Sequence, residues 1–319
     1  MKVIARDRYG SPDVMRVEEA DLPEVADDQV LVRVRATSVN AVDWHTLRGK
    51  PYIARTDEGL RTPKSRVLGV DVAGEVERVG AGVTDLEPGD RVFGARSGAF
   101  AQYVSGRNLV PLPAKLTFEQ GGAVAVAGVT ALQGLRDRGQ LAAGQHVLIN
   151  GAGGGVGTFA VQIARALGAE VTAVTNANSV DLVRSIGANH ALDYAKEDFT
   201  RAGERYDLIL DVGGNHSLRR LRRALKPGGR VVLVAPAGGQ WIGPIARVVW
   251  AAVTSRFSAK KVIPFLSAMK RDDLFVLREL METEKLIPVI DRTFRFEQTP
   301  DAVRYVESGN ARGKVVIAI

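Results

Sequence analysis

The chain contains no cysteine, which excludes disulfides, thiolate nucleophiles and cysteine-ligated zinc together. Histidine is scarce. The four present (His45, His146, His190 and His216) lie far apart in sequence, so no His-rich metal cluster is expected. No apolar run approaches the ~20 residues of a membrane span. The longest, near Gly122–Val129 and Arg247–Val253, are short and flanked by polar residues. The opening MKVIARDRYG has no apolar core of the signal-peptide kind. These absences lead to the expectation of a cytoplasmic chain that neither spans nor enters a membrane.

What is present reads as globular. Of 319 residues, 45% are hydrophobic and 25% charged, and the length suits two domains better than one core. The formal net charge is +7, with the densest basic run at Arg219, Arg220, Arg222, Arg223 and Lys226. That run lies on an expected helix without interleaved aromatics. A solvated helix face explains it, and nucleic acid is not an expected partner.

The most informative stretch is HVLINGAGGGVGTFAVQIARALGAE, residues 146–170. His146–Asn150 is a short apolar strand. Gly151, Gly153, Gly154, Gly155 and Gly157 follow. A helical pattern then places Phe159, Ala160, Ile163, Ala164 and Leu167 on one face and stops at Gly168. Strand, glycine turn and helix together form the setting of a dinucleotide fingerprint, Ala152-x-Gly154-x-x-Gly157, with alanine in the first glycine position. Without Cβ atoms the backbone turns sharply and approaches a pyrophosphate. The helix N-terminus, Val156 included, then offers it N–H groups and partial positive charge.

Residues 1–120 read as an all-β, barrel-like domain. Its strands fall within Val30–Val39, Leu68–Gly80, Leu86–Gly94, Phe100–Val104 and Asn108–Pro111. Phe118–Leu135 turns helical. From His146 the order is strand, helix, strand (Glu170–Thr175), helix (Ser179–Ile186), strands (His190–Asp193, Tyr206–Asp211), helix (Ser217–Leu225) and strand (Arg230–Ala235). This alternation implies a parallel, doubly wound α/β sheet over about 121–255. Residues 256–319 form a return segment. After Gly243 the chain reads as helical again, through Asp272–Glu284, and it ends with Leu286–Ile290, a helix at Thr299–Ser308 and a terminal strand Lys314–Ile319.

TSVNAVDWHTLRG (37–49), LGVDVAGEVERVGAGVTDLEPGDRVFG (68–94), AGVTAL around Thr130, NGAGGGVG and the closing GNARGKVVIAI resemble the medium-chain dehydrogenase/reductase superfamily. More narrowly they resemble its zinc-independent, quinone oxidoreductase-like branch, to which zeta-crystallin belongs. The resemblance covers nearly the whole chain. It implies a GroES-like β-barrel domain interrupted by a Rossmann domain, with the last strand rejoining the first domain. In the family's zinc enzymes a cysteine stands where this chain has Asn40, and a His-Glu pair where it has Val70-Asp71. A structural-zinc lobe is reduced here to the residues between Gly94 and Phe100. No zinc is expected.

An acid about 20 residues beyond the fingerprint normally binds the ribose 2′-OH of NAD. Here that place holds Asn176 and Asn178, which accept a 2′-phosphate without repulsion, so NADP(H) is favoured over NAD(H). The resemblance adds Tyr194 and a basic residue, Arg312 or Lys314, near the phosphate. It also adds Thr130 near the nicotinamide carboxamide. Gly213, Gly214 and Ala235 follow strands at carboxyl ends, where such sheets bind ligands. Phe265 reads as a pocket wall or a core aromatic. The resemblance places Asn40 and Asp43 by the nicotinamide: Asn40 to donate to a carbonyl oxygen or enolate, Asp43 to orient it. Both equally suit a turn. His45 and Tyr52 are the candidate proton donors. The expected substrate is a small quinone or enone, and the chain is expected to work as a homodimer. The alternatives are a metal-free carbonyl reductase or alcohol dehydrogenase, and a non-catalytic NADPH- or RNA-binding protein.

Overall fold

A computed structural model describes residues 1–52, 55–234 and 259–319. The chain falls into two compact units, Met1–Val129 with Met269–Ile319, and Thr130–Ala268.

The first unit is built around the ten-residue strand Val30–Val39, which opens on Val30-Leu31-Val32 and alternates apolar and charged residues over Val32–Arg35. One edge of this strand pairs antiparallel with Asp71–Val79. The other edge is shared: Val30–Arg33 face Tyr103–Gly106, and Ala36–Val39 face the C-terminal strand Lys314–Ala318. Register shifts between Leu31 and Val32 and between Val34 and Ala36 let the strand bend to serve both. Arg91–Ala95 and Leu109–Pro111 continue the sheet beyond Asp71–Val79, and Ile290–Arg295 extends it beyond Lys314–Ala318. Val32, Val34, Val72, Val76, Val92 and Leu109 fill one side. Ile4, Val39, Leu47, Phe296, Val303 and Val315 fill the other. There the helices Ala41–Arg48 and Thr299–Glu307 are tied by a two-pronged Arg48–Glu307 pair at 2.7 and 2.8 Å. The terminal strand therefore rejoins the first unit, as the resemblance implied.

The second unit holds a six-stranded, all-parallel sheet. Its order is His190–Asp193, Glu170–Thr175, His146–Asn150, Tyr206–Asp211, Leu225–Leu233 and Lys261–Pro264. Reading outward from His146–Asn150 the order is 3-2-1-4-5-6, the doubly wound arrangement of dinucleotide-binding sheets. Leu148, Val174, Ile209, Leu221, Val231 and Val262 form its core.

Several elements differ from the sequence reading. Leu286–Ile290, given no element type from sequence, leads into a strand at Ile290–Arg295, and Pro288 before it has no N–H to give a ladder. Phe100–Val104 shifts to Tyr103–Gly106. Phe118–Leu135 is not one helix but Phe118–Gly121 and Ala125–Leu132, followed by a π-helical stretch Gln133–Arg138. The break falls at Gly121-Gly122, and an alanine at 122 would bring its Cβ to 2.9 Å from the Ala36 carbonyl oxygen. The strand Lys261–Pro264, read as return segment, belongs to the parallel sheet. Ala235 and the part of the expected helical stretch up to residue 258 lie outside the described residues; residues 259–270, expected to be helical, hold the strand Lys261–Pro264 and irregular chain, and the helix begins at Arg271.

Candidate functional site

In the second unit the strand His146–Asn150 runs into a turn at Gly151 (φ +88°) and then the twelve-residue helix Gly155–Ala166. Two glycines of the loop are required by crowding. A Cβ on Gly157 would stand 2.2 Å from the Gly151 oxygen and 2.6 Å from Ala152 backbone atoms. One on Gly153 would meet the Thr175 hydroxyl at 2.4 Å and Ser179 Cβ at 2.7 Å. Gly154 is different. Among the described residues a Cβ there would meet nothing closer than the Gly151 oxygen at 3.6 Å, which leaves its outer side open to them. Gly154 is also the N-cap, and no side chain caps this helix. The N–H groups of its first turn, Gly155, Val156 and Gly157, have no acceptor within the helix. With the helix dipole they form an anion cradle.

The carboxyl ends of neighbouring strands close around this loop. The Asn150 carbonyl accepts from both Val212 and Gly213 N–H, each at 3.0 Å. Its side-chain amide donates to Asp211 (2.7 Å) and Asn215 (2.9 Å), and Asp211 also accepts from Gly214 N–H. Asn150 and Asp211 were not singled out from sequence. They fix the Gly151 and Gly213 turns to each other.

Asn176 follows the strand Glu170–Thr175, and its buried Oδ1 has no hydrogen-bond partner among the described residues. Tyr194 lies beside it, its N–H bonded to the Thr175 carbonyl at 3.0 Å and its side chain 57% exposed. Asn178 is exposed. Parallel pairing also brings a carboxylate next to Thr175 that sequence spacing did not reveal. This is Asp193, held by the Ala195 N–H at 3.0 Å and by Lys196 at 3.9 Å. The Thr130 hydroxyl is 2.9 Å from that of Ser267, and Gln133 clamps the Ala268 backbone at 2.7 and 3.1 Å. Phe265 is a buried aromatic of this unit.

In the first unit, Asn40 and Asp43 meet a residue that sequence reading noted only as a replaced zinc ligand. Asp71 is fully buried. Its Oδ2 accepts from the Ser38 hydroxyl (2.5 Å), Asn40 Nδ2 (2.9 Å) and Lys314 Nζ (3.1 Å), and its Oδ1 from Val126 N–H (2.7 Å). Lys314 Nζ also donates to Asn40 Oδ1 at 2.5 Å. One N–H of Asn40 is thus spent on Asp71 and its carbonyl on Lys314, and the second amide N–H remains. Lys314 was expected near the 2′-phosphate. That expectation is corrected: its ammonium is 2% exposed and neutralises Asp71 inside this unit. Arg312, the other basic candidate, is exposed, and its N–H donates to Asp291 at 3.1 Å.

Asp43 was expected to orient the Asn40 side chain. It does not reach it. Its carboxylate accepts from the backbone N–H groups of Asn40 (2.7 Å) and Gly69 (3.0 Å), fixing the start of helix Ala41–Arg48 against the 69–71 turn. Burial pushes Asp43 up to about 7. Asp71 adds to this, while the two N–H donors and Lys314 oppose it. A raised carboxyl gives stability that is fully present below about pH 4 and lost as pH rises through about 7. Burial lowers His45 and His146, whose contributions run the other way below about 6.5. The Asp43 contribution is therefore read as a difference. The deficit of Asp43→Asn relative to the parent should shrink from pH 5 to pH 8 in denaturant melts. A constant deficit would refute this titration.

His45 stacks on Trp44 with ring centroids 3.6 Å apart, and its Nδ1 lies 3.2 Å from the Lys50 carbonyl. That contact places the proton on Nδ1, and burial disfavours a second one. At neutral pH Nε2 is then an acceptor, which argues against His45 as proton donor. Tyr52 is half-buried, with the Arg55 guanidinium 4.8 Å from its ring and 4.3 Å from that of Tyr9.

Comparison with known proteins agrees with this architecture. Residues 26–171 match the family model for an alcohol dehydrogenase GroES-like domain, and residues 186–317 that for a zinc-binding dehydrogenase. The chain is 33% identical to 2-methylene-furan-3-one reductase of Solanum lycopersicum, over 99% of this chain and 79% of the relative. It is 32% identical to the chloroplastic NADPH-dependent alkenal/one oxidoreductase of Arabidopsis thaliana, with the same coverage. The solved structure of the quinone oxidoreductase from Coxiella burnetii superposes with a TM-score of 0.87 at 28% identity, covering 100% of this chain and 99% of that one.

The zinc in the second family's description does not fit the donors here. At the matching places stand an amide already bonded through its carbonyl, a valine, and a carboxylate already neutralised by an ammonium.

Proposed function

This chain belongs to the quinone oxidoreductase-like branch of the medium-chain dehydrogenase/reductase superfamily, and from that premise we propose that it is an NADPH-dependent, zinc-free reductase of quinones or α,β-unsaturated carbonyls. The observation that carries this reading is the uncapped helix Gly155–Ala166, with an open face at Gly154 and no room for a Cβ at Gly153 or Gly157. These residues fit a dinucleotide pyrophosphate. When bound, the reduced nicotinamide supplies the hydride.

The chain's own residues do the rest. Gly155, Val156 and Gly157 hold the pyrophosphate. Asn176 and Tyr194 take the ribose end. The orphaned Asn176 amide has only to turn to offer its N–H to a phosphate. The adjacent Asp193 is engaged by its own loop, through the Ala195 N–H at 3.0 Å. Conjugated acceptors suit a site without a metal, because conjugation spreads the charge that hydride addition creates. Asn40 gives its remaining N–H to the substrate oxygen. Lys314 at its carbonyl polarises the amide and strengthens that donor, while Asp71 fixes its direction. Lys314 and Asp71 are positioning residues in this scheme. Thr130 faces the carboxamide.

The test is NADPH oxidation with 9,10-phenanthrenequinone after exhaustive dialysis against a chelator. Turnover should persist, and NADPH should bind more tightly than NADH. Asn176→Asp should reverse that preference by roughly tenfold, or about 1.4 kcal/mol, by setting a carboxylate against the 2′-phosphate. Loss of turnover on chelation, or equal affinity of the parent for both cofactors, would overturn the respective part.

A further inference from the structure

The net positive charge of this chain is carried by one block. Between Val212 and Arg271 there are twelve lysines and arginines and no aspartate or glutamate. The chain holds 43 basic and 36 acidic side chains in all, so the remainder is acidic by five. The described part of the block forms one edge of the parallel sheet. Helix Leu218–Arg223 precedes Leu225–Leu233, and Lys260 Nζ donates to the Arg222 carbonyl at 3.0 Å. Arg230 and Lys261 are register partners on the last two strands. Elsewhere basic side chains commonly sit in ion pairs, as Arg16, Arg35, Arg48, Arg66 and Arg304 do. Arg219, Arg220, Arg223, Arg230 and Lys261 have none among the described residues.

This edge is not the cofactor's. Arg230 pairs near the start of the ladder with Tyr206–Asp211, and Lys261 opens its strand. Both therefore lie toward the amino ends, whereas the glycine loop and Gly213 lie at the carboxyl ends. The charge is left for an external anionic surface. The sequence of the block favours lipid over nucleic acid. It also carries two of the chain's three tryptophans, Trp241 and Trp250, in the apolar and basic run WIGPIARVVWAAVTSRF (241–257). Arginine, tryptophan and aliphatic residues without acids make an interfacial composition. The described basic residues have no exposed aromatic among them on which a base could stack.

We propose that the basic edge formed by Arg219, Arg220, Arg223, Arg230 and Lys261 docks the protein reversibly on an anionic lipid bilayer. This is independent of the hydride-transfer reading. Each basic residue at such a surface strengthens partitioning roughly fivefold. The test is co-sedimentation with phosphatidylcholine vesicles containing or lacking phosphatidylglycerol, at low and high salt. Binding is expected only to the anionic vesicles, and it should weaken with salt. Changing Arg219, Arg220, Arg223 and Lys261 together to glutamine should reduce it on the order of several-hundred-fold. Turnover of a soluble quinone should stay as in the parent, which separates this outcome from failure of the enzymatic reading. No binding of the parent to anionic vesicles at low salt, or equal binding by the quadruple variant, would overturn the proposal. A single-stranded RNA bound more tightly than the vesicles at equal salt would overturn it in favour of nucleic acid.

Discussion

The Lys314→Met variant is expected to lose about 3–5 kcal/mol of folding stability, because it leaves a buried carboxylate without its cation. Asp71 is 0% exposed and Lys314 2%, so water does not replace the missing charge at either position. Three donors remain on Asp71, from Ser38, Asn40 and Val126, which places the expected loss toward the lower end. Asn40 Oδ1 also loses its ammonium. The second change Asp71→Asn removes the charge that needs compensation and should recover a large part of the stability. The single Asp71→Asn change should itself be costly, because it strands the buried ammonium. Denaturant melts of the four proteins form a double-mutant cycle. A loss under about 1 kcal/mol for Lys314→Met, or no recovery in the double variant, would show that the pair is not the keystone of this network. The same series separates the two roles considered for Lys314. A phosphate ligand would leave folding intact and weaken NADPH binding while sparing NADH. A positioning residue would lower stability and turnover and leave the ratio of cofactor affinities alone.

The second large effect is expected in the glycine loop, where neighbouring glycines should fail for different reasons. Gly157→Ala drives a Cβ into backbone atoms at 2.2 and 2.6 Å, and backbone cannot swing aside as a side-chain tip does. We expect a stability loss of about 1–3 kcal/mol together with loss of cofactor binding. Gly154→Ala meets no atom of the described residues within 3.5 Å and needs no positive φ, since Gly154 sits at −87°. Its fold should be unchanged. Its new methyl group would occupy the open face where the pyrophosphate is proposed to lie, and NADPH affinity should fall tenfold or more, about 1.4 kcal/mol. Thermal melts and fluorescence titration of both variants read the two effects separately. If Gly154→Ala bound NADPH as the parent does, the open face would not be the phosphate site.

Much of this protein was legible in its sequence because the relevant signals are local. Strands such as Val30–Val39, His146–Asn150, Glu170–Thr175 and Tyr206–Asp211 have the bounds that their apolar patterns and glycine stops predict. The glycine loop announces itself for the same reason: its strand, turn and helix are contiguous, and the crowding at Gly157 comes from Gly151 and Ala152, whereas that at Gly153 comes from Thr175 and Ser179 on the next strand and turn. The lack of cysteine needed no structure at all.

The tertiary structure decided what local periodicity does not carry. Lys314 opens a strand at the end of the chain, and the resemblance offered it as a candidate ligand of the 2′-phosphate. It is buried because Lys314–Ala318 pairs with Val30–Val39, which pairs in turn with Asp71–Val79. Those pairings bring Ser38, Asp71 and Lys314 together on three adjacent strands, with Asn40 just past the end of the first, and Lys314 and Asp71 are separated by 243 residues in sequence. Asp193 came to lie beside Thr175 in the same way, through a parallel neighbour rather than through spacing. The partners of a buried charge depend on which strands become neighbours. That choice is made by the packing of the whole sheet, so the composition and spacing of this chain set its fold and cofactor loop, while the roles of Lys314 and Asp71 waited on the pairing.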